Sequence, residues 1–286
     1  MSHIGLGEVV GLMAGDAVVE HYSQGALEKR ILDALTLIGV DPERLDPDQL
    51  APVDEFHIGG RLATVELVDQ LKLRAGLRVL DVGSGLGGAA RYMVRTHGVE
   101  VVGVDLTEEY VRVASSLTRR SGLADSADFH QGSATDLPFT ENTFDRACML
   151  HVGMNIVDKA AVFREVRRVL ADGGSFGVYD IMQTGSGELS YPLPWAATPH
   201  TNFLASPQRY RELLSEAGLP VEVERDRGEF AIGFLRGMLT KIAESEPPPL
   251  GLHLVMGQDA LVKIKNMYAG IEHGTLTPVE MVCAAR

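Results

Sequence analysis

The first chemical signal in this 286-residue chain is a run of glycines bracketed by two aspartates. LDVGSGLGG at 80–88 holds Gly83, Gly85 and Gly88 in the spacing G-x-G-x-x-G, with Asp81 two residues before the first glycine. Asp105 follows 22 residues after Gly83, at the end of VEVVGVD. Glycines let a backbone turn tightly and approach a ligand closely. A carboxylate at the end of the next strand suits a grip on ribose hydroxyls. Together they predict an adenosine-containing cofactor. Asp81 then narrows the choice, because a carboxylate there repels a pyrophosphate and receives a cationic ligand.

Other residues carry chemistry without a motif of their own. His151 follows the apolar run FDRACML and is a candidate general base or substrate orienter. The alternative is a histidine bonded to backbone under a loop. Asn155 in the same loop can position a nucleophile through its amide, or simply cap a helix. His57 lies in FHIGG beside Phe56, ahead of two glycines that permit a tight turn. Trp195 is the only tryptophan, in YPLPWA; it is a pocket wall and cation–π partner for an amine, or else a staple for a long loop. Tyr22 closes over a ligand or packs an N-terminal helix.

These residues need a scaffold, and the chain spells one out. Apolar Leu27, Ile31, Leu35 and Ile38 within 17–38 have helical spacing, ended by Gly39 and Pro42. The Pro- and Asp-rich stretch 41–54 reads as loop, and 60–71 as a second helix. From residue 77 the text alternates. Strands are expected at 77–82, 99–104, 127–130, 144–150, 175–181, 220–226 and 277–285. Helices are expected at 108–120, 158–170 and from Ser206-Pro207 to Gly218. Such alternation predicts an α/β fold with helices on both faces of a buried, mostly parallel sheet. Two stretches break the rhythm, 183–205 and 229–273, the second split by Glu246-Pro247-Pro248-Pro249. The expected organisation is a helical cap over 1–72 and a main domain over 73–286 with those two stretches as lid insertions. Open α/β sheets bind ligands beyond the carboxyl ends of their strands, so the lid belongs there.

The ordered motifs resemble those of class I S-adenosylmethionine-dependent methyltransferases. LDVGSGLGG looks like their first motif, VVGVDLT (101–107) the second and QGSATDLPF (131–139) the third, with Ser133 where Asp is usual. FDRACMLHVGMNI (144–156) and RRVLADGGSFGVYDI (167–181) resemble the fourth and fifth. DEFHIGG at 54–60 is similar to an element of sarcosine/dimethylglycine N-methyltransferases, and the small-molecule branch includes ubiquinone/menaquinone-type enzymes. The resemblance implies a Rossmann-like doubly wound sheet of seven strands, the last antiparallel. It implies contacts to S-adenosylmethionine at Asp81, Gly83, Ser84, Gly85, Gly87, Asp105, Leu106, Ser133, Ala134 and Met149. His151, His57 and Asn155 become the catalytic candidates, and Tyr22, Phe56 and Trp195 the substrate-pocket candidates. The implied reaction is methyl transfer to a small molecule: first an amine nitrogen, next the oxygen or carbon of a phenol, quinone or prenyl compound. A nicotinamide-dependent oxidoreductase and a non-catalytic cofactor-binding module are the readings from other classes.

Composition limits the partners. Thirty-nine acidic against 26 basic residues give a net charge of −13, which opposes nucleic acid and anionic membrane. Cys148 and Cys283 lie in apolar runs and read as buried thiols. No C-x-x-C or other ligand cluster suggests a metal. The start of the chain has no secretory pattern and no apolar run reaches 18 residues, so the expected location is cytoplasmic. The oligomeric state stays open, a homodimer among the options.

Overall fold

The computed structural model describes residues 15–16, 19–20 and 26–286. Seven strands make one sheet in the order β3-β2-β1-β4-β5-β7-β6. They are β1 (Arg78–Val82), β2 (Glu100–Asp105), β3 (Ala127–Gln131), β4 (Phe144–Leu150), β5 (Leu170–Gln183), β6 (Val221–Asp226) and β7 (Leu276–Ala284). The first five run parallel; β7 is antiparallel to β5 on one side and to β6 on the other. The doubly wound sheet with an antiparallel last strand is therefore present. Val79, Leu80 and Val82 of β1 are fully buried, which is why this strand reads as a continuous apolar run.

Ten helices flank the sheet among the described residues: α1 (Leu27–Leu37), α2 (Pro47–Asp54), α3 (Arg61–Leu71), α4 (Gly88–His97), α5 (Glu108–Arg120), α6 (Lys159–Val169), α7 (Pro207–Glu216), α8 (Gly228–Glu244), α9 (His253–Met256) and α10 (Ala260–Glu272). On one face Val162, Phe163 and Val166 of α6 and Leu213 and Leu214 of α7 pack against Leu80, Ala147 and Val178. On the other, Leu67 and Leu71 of α3, Met93 of α4 and Ala114 of α5 cover Val79, Val101 and Cys148. Within the expected 1–72 cap, α3 thus lies directly on the sheet, while α1 and α2 pack on Leu86, Tyr110 and Val113 at its end.

Two local readings are corrected. The 41–54 stretch is not all loop, because α2 forms in it. Asp46 accepts from Asp48 N at 2.9 Å, the Gln49 side chain accepts from Asp46 N, and Pro47 stands at the first helical position. This capping box outweighs the Pro and Asp content. Ile38 is not on the buried face of α1; it follows the last helical residue and is 47% exposed. The helix expected from Ser206-Pro207 is capped, Ser206 accepting from Arg209 N, and Asp158 caps α6 in the same way by accepting from Ala161 N. Both cysteines are buried and free. The charged strand β6 lies at the sheet edge, where its exposed Glu222 and Glu224 discourage pairing with another chain.

Candidate active site

The chain leaves β1 through Gly83, Ser84, Gly85, Leu86 and Gly87 and enters α4. Gly83, Gly85 and Gly87 have φ of +70°, +53° and +80°. The third positive φ thus falls on Gly87 and not on Gly88 of the sequence pattern. Gly88 is needed for another reason. A Cβ there would lie 2.8 Å from Asp54 Oδ1, so its absence lets the end of α2 approach the start of α4. Gly83 is just as confined: a Cβ would lie 2.8 Å from Val152 Cγ1, and closer still to Cγ2. The loop after β4 therefore rests directly on this turn.

Asp105 ties the turn to β2. Its Oδ2 accepts from Gly85 N and its Oδ1 from Thr107 N, both at 2.9 Å. Each carboxylate oxygen keeps a second lone pair for a hydroxyl donor. Asp81 is 2% exposed, and burial pushes its carboxyl up to about 7. Cys148 Sγ donates to Oδ1 at 3.5 Å, while Oδ2 has no partner among the described residues. Ser84 Oγ is likewise buried without a partner among them. Buried polar atoms rarely go unsatisfied. These two border the same cavity, as a site does whose ligand brings its own cation and polar groups.

That cavity is about 1000 Å³ and begins at the carboxyl ends of β1 and β2. Of the sequence-selected residues, Asp81, Gly83, Ser84, Gly85, Asp105, Leu106, Ser133 and Ala134 line it. So do Phe56, His57, His151, Asn155 and Trp195. Gly87 and Met149 do not. Gly87 packs against Phe129 and Arg91 beneath the turn. Met149 pairs in register with Val82 and Val178 and is buried in the core of the α6–α7 face. Successive strand side chains face opposite ways, and the neighbouring Leu150 is the one that reaches the cavity. Tyr22 lies outside the described residues. Ser133 Oγ is engaged within its own loop, 2.7 Å from Thr135 Oγ1. Asp136, paired with Ser133 in an isolated bridge, brings a carboxylate to that wall.

The two histidines are held neutral at pH 7. His57 Nε2 lies 3.1 Å from Gly60 O and 3.1 Å from Thr64 Oγ1. Thr64 donates its own proton to Glu55 Oε2 at 2.6 Å, and Glu55 also accepts from Arg61. Carbonyl Gly60 O only accepts, so Nε2 carries the ring proton and Nδ1 is left with a lone pair. Burial pushes His57 down to about 4. His151 takes a left-handed φ of +55°, and its ring lies 4.9 Å from that of Tyr179 and 5.9 Å from that of His57. Burial, and next the His57 ring, hold His151 well below the usual histidine range. A left-handed non-glycine residue in a cavity wall is local strain of the kind found at functional sites.

The loop that carries His151 is pinned from below. Gly153 N and Tyr210 Oη both donate to Asp180 Oδ2, at 2.8 and 2.7 Å. Asn155 Nδ2 donates back to Val152 O at 3.2 Å. Trp195 is fixed by a bond from Nε1 to Asn202 Oδ1 at 2.9 Å. Sequence reading missed much of the far wall: Ile181, Phe234, Leu235, Met238, Met256, Ile264 and Met267 line the cavity. The only local signal was the helical spacing of Phe234, Leu235 and Met238. Asp54 and Glu55, also at the wall, sit next to the FHIGG stretch but were not singled out. Pro194 and Trp195 from 183–205, and residues of α8, α9 and α10 from 229–273, are among the lining residues. Among the described residues no three His, Cys, Asp or Glu side chains gather as a metal site. No helix of the described residues is long and apolar enough to cross a membrane.

Residues 80–178 match the family model of a methyltransferase domain. The chain is 32% identical over 172 residues to a glycine/sarcosine/dimethylglycine N-methyltransferase of Actinopolyspora halophila, covering 59% of this chain and 30% of that protein. It is 36% identical over 165 residues to the erythromycin 3''-O-methyltransferase of Saccharopolyspora erythraea, covering 56% and 51%. The chain thus spans from about a third to about half of the length of these curated relatives. Geranyl diphosphate C-methyltransferase from Streptomyces coelicolor A3(2), solved with Mg2+, geranyl diphosphate and S-adenosyl-L-homocysteine, superposes with a TM-score of 0.71 at 15% identity. That match covers 96% of this chain and 98% of the other, and shows that the whole fold is shared.

Proposed function

We propose, from the premise that residues 80–178 form a class I methyltransferase domain, that this chain transfers a methyl group from S-adenosylmethionine to a small molecule. The observation that carries the reading is the pair of orphaned buried atoms, Asp81 Oδ2 and Ser84 Oγ, beside Asp105 at the carboxyl ends of β1 and β2. A ligand with an ammonium, a sulfonium and no phosphate fits those donors and acceptors. A pyrophosphate does not, because it would meet the Asp81 carboxylate.

S-adenosylmethionine supplies an electrophilic methyl on a sulfonium; the chain supplies binding and alignment. Asp81 would receive the ammonium, and the free lone pairs of Asp105 would receive the ribose hydroxyls. Leu106 and Asp136, on the same wall, would hold the adenine, Asp136 in place of the usual third-motif carboxylate. In the acceptor half, His57 Nδ1 is the lone pair that accepts a hydrogen bond from an O–H or N–H and orients the nucleophile. The Glu55–Thr64 pair keeps that nitrogen free. Helices α8–α10 keep bulk water from the reacting atoms.

The acceptor implied by the DEFHIGG resemblance is an amine nitrogen, for which Trp195 offers a π face. Oxygen or carbon transfer is the second reading, favoured by the apolar far wall of the cavity. The test is calorimetric titration with S-adenosylmethionine, with NAD as control. Asp105→Ala is expected to weaken binding by about 1–3 kcal/mol through loss of charge-assisted bonds. Tight binding of NAD, or none of S-adenosylmethionine to folded protein, would refute the reading.

A further inference from the structure

Resting on that reading, we infer that the acceptor is an apolar molecule free of phosphate and carboxylate groups. The ground is the charge of the wall. No Lys or Arg lines the cavity among the described residues. Residues 1–28, which include all the undescribed positions, contain neither Lys nor Arg, so that segment brings no guanidinium or lysine ammonium to the site. Every formally charged side chain on the lining is acidic; Asp54 and Glu55 are paired with Arg91 and Arg61, while Asp81 and Asp105 have no basic partner among the described residues. The acceptor half is enclosed by Phe234, Leu235, Met238, Met256, Ile264 and Met267.

The basic side chains of the surrounding elements are committed elsewhere. Arg61 is held by Glu55 and Asp48. Lys159 Nζ donates to Ile156 O at 2.8 Å and to Phe203 O. Lys263 Nζ donates to Met256 O at 2.8 Å. Arg227 pairs with Glu66 and lies 4.3 Å from the Phe230 ring centre. Arg236, Lys241 and Lys265 are exposed. An anion entering the chamber loses its hydration, gains no partner and meets a field of its own sign. An apolar acceptor loses nothing of the kind, and the three methionines at Met238, Met256 and Met267 adapt to its shape.

The single tryptophan makes the test direct, because Trp195 lines the cavity and every tryptophan signal comes from it. The full chain, with and without S-adenosylhomocysteine, is titrated with 1-octanol, octanoate and octyl phosphate while Trp195 emission is followed. The three probes share one stem and differ in head group. Octanol is expected to perturb Trp195 at concentrations at least tenfold below either anion. Met238→Lys, at a half-buried position, should bring octanoate within about threefold of octanol. An anion that binds as well as octanol, no response to octanol, or an unchanged ratio in Met238→Lys would each overturn the inference. Calorimetry with S-adenosylhomocysteine is read separately: failure there counts against the methyltransferase reading, and the probe ratio still stands or falls by itself.

Discussion

Gly83 gives the sharpest quantitative prediction, because the structure supplies its own controls. Gly83, Gly85 and Gly122 share left-handed φ values of +70°, +53° and +69°. Alanine at any of them therefore carries the same backbone cost, about 1–2 kcal/mol. Their surroundings differ. A Cβ at Gly85 or Gly122 meets nothing within 4 Å among the described residues. At Gly83 it lies 2.8 Å from Val152 Cγ1 and 3.1 Å from Val152 Cβ. Val152 is β-branched and has little rotamer freedom, so the clash cannot be relieved at the side chain. Its backbone is held on one side by strained His151 and on the other by Gly153, anchored to Asp180. Overpacking of this kind adds about 1–3 kcal/mol. Gly83→Ala is thus expected to cost about 2–5 kcal/mol, against about 1–2 kcal/mol for Gly122→Ala and Gly85→Ala. Urea midpoints and melting temperatures of the three variants give the stability series, and calorimetry gives cofactor affinity. Gly85→Ala, whose Cβ enters the cavity, should weaken the cofactor without extra destabilisation. Gly122→Ala should leave affinity unchanged. A Gly83→Ala variant no less stable than Gly122→Ala would refute the argument that the turn and the His151 loop are in hard contact.

Two further outcomes are expected. Asp81 titrates near 7 instead of in the ordinary carboxylate range because it is buried. A carboxyl raised in this way contributes stability below about pH 4 that is lost as pH rises through about 7. The melting temperature of cofactor-free wild type should therefore fall relative to Asp81→Asn between about pH 4 and 7. Its affinity for S-adenosylmethionine should rise over the same window, with no such rise in the variant. Tyr210→Phe removes one of two donors to Asp180 Oδ2 while Asp180 Oδ1 already has none. A loss of about 1–3 kcal/mol in chemical denaturation is expected, with slower turnover because the His151 loop loses its anchor; a change below about 0.5 kcal/mol would contradict it.

The parts of the site readable in advance are those written in consecutive residues. The strand, glycine turn and second-strand aspartate are one local grammar: Gly83 and Gly85 shape the turn, Asp105 bonds to it, and Asp81 lines the same cavity. The errors also have physical causes. Met149 and Leu150 differ by one strand position, and only sheet register decides which faces the ligand. Gly87 and Gly88 differ by one turn position, and the confinement of Gly88 comes from Asp54 at the end of α2, far from it in the chain. The apolar acceptor wall was illegible for a deeper reason. Phe234, Met256 and Met267 come from three separate helices, and an amphipathic helix facing a core has the same spacing as one facing a cavity. The Glu55–Thr64 pair that closes around His57 Nε2 joins α3 to the stretch before it, and no short pattern links those residues. The capping box at Asp46 was present in the letters and was hidden by its own prolines.

The place of β7 in the sheet has a consequence for synthesis. It lies between β5 and β6, although both are made before it. As the chain leaves the ribosome, β6 has no neighbour to bind, and the apolar flank of β5 stands open until residues 276–284 emerge. Helices α8–α10, with their apolar sides, are also complete by then and have no finished sheet to rest on. The nascent protein therefore passes through a stage with a bare strand edge and uncovered methionines. Translation that pauses within 228–275 would hold it there, so the steps most exposed to chaperones and to aggregation fall just before β7 is made.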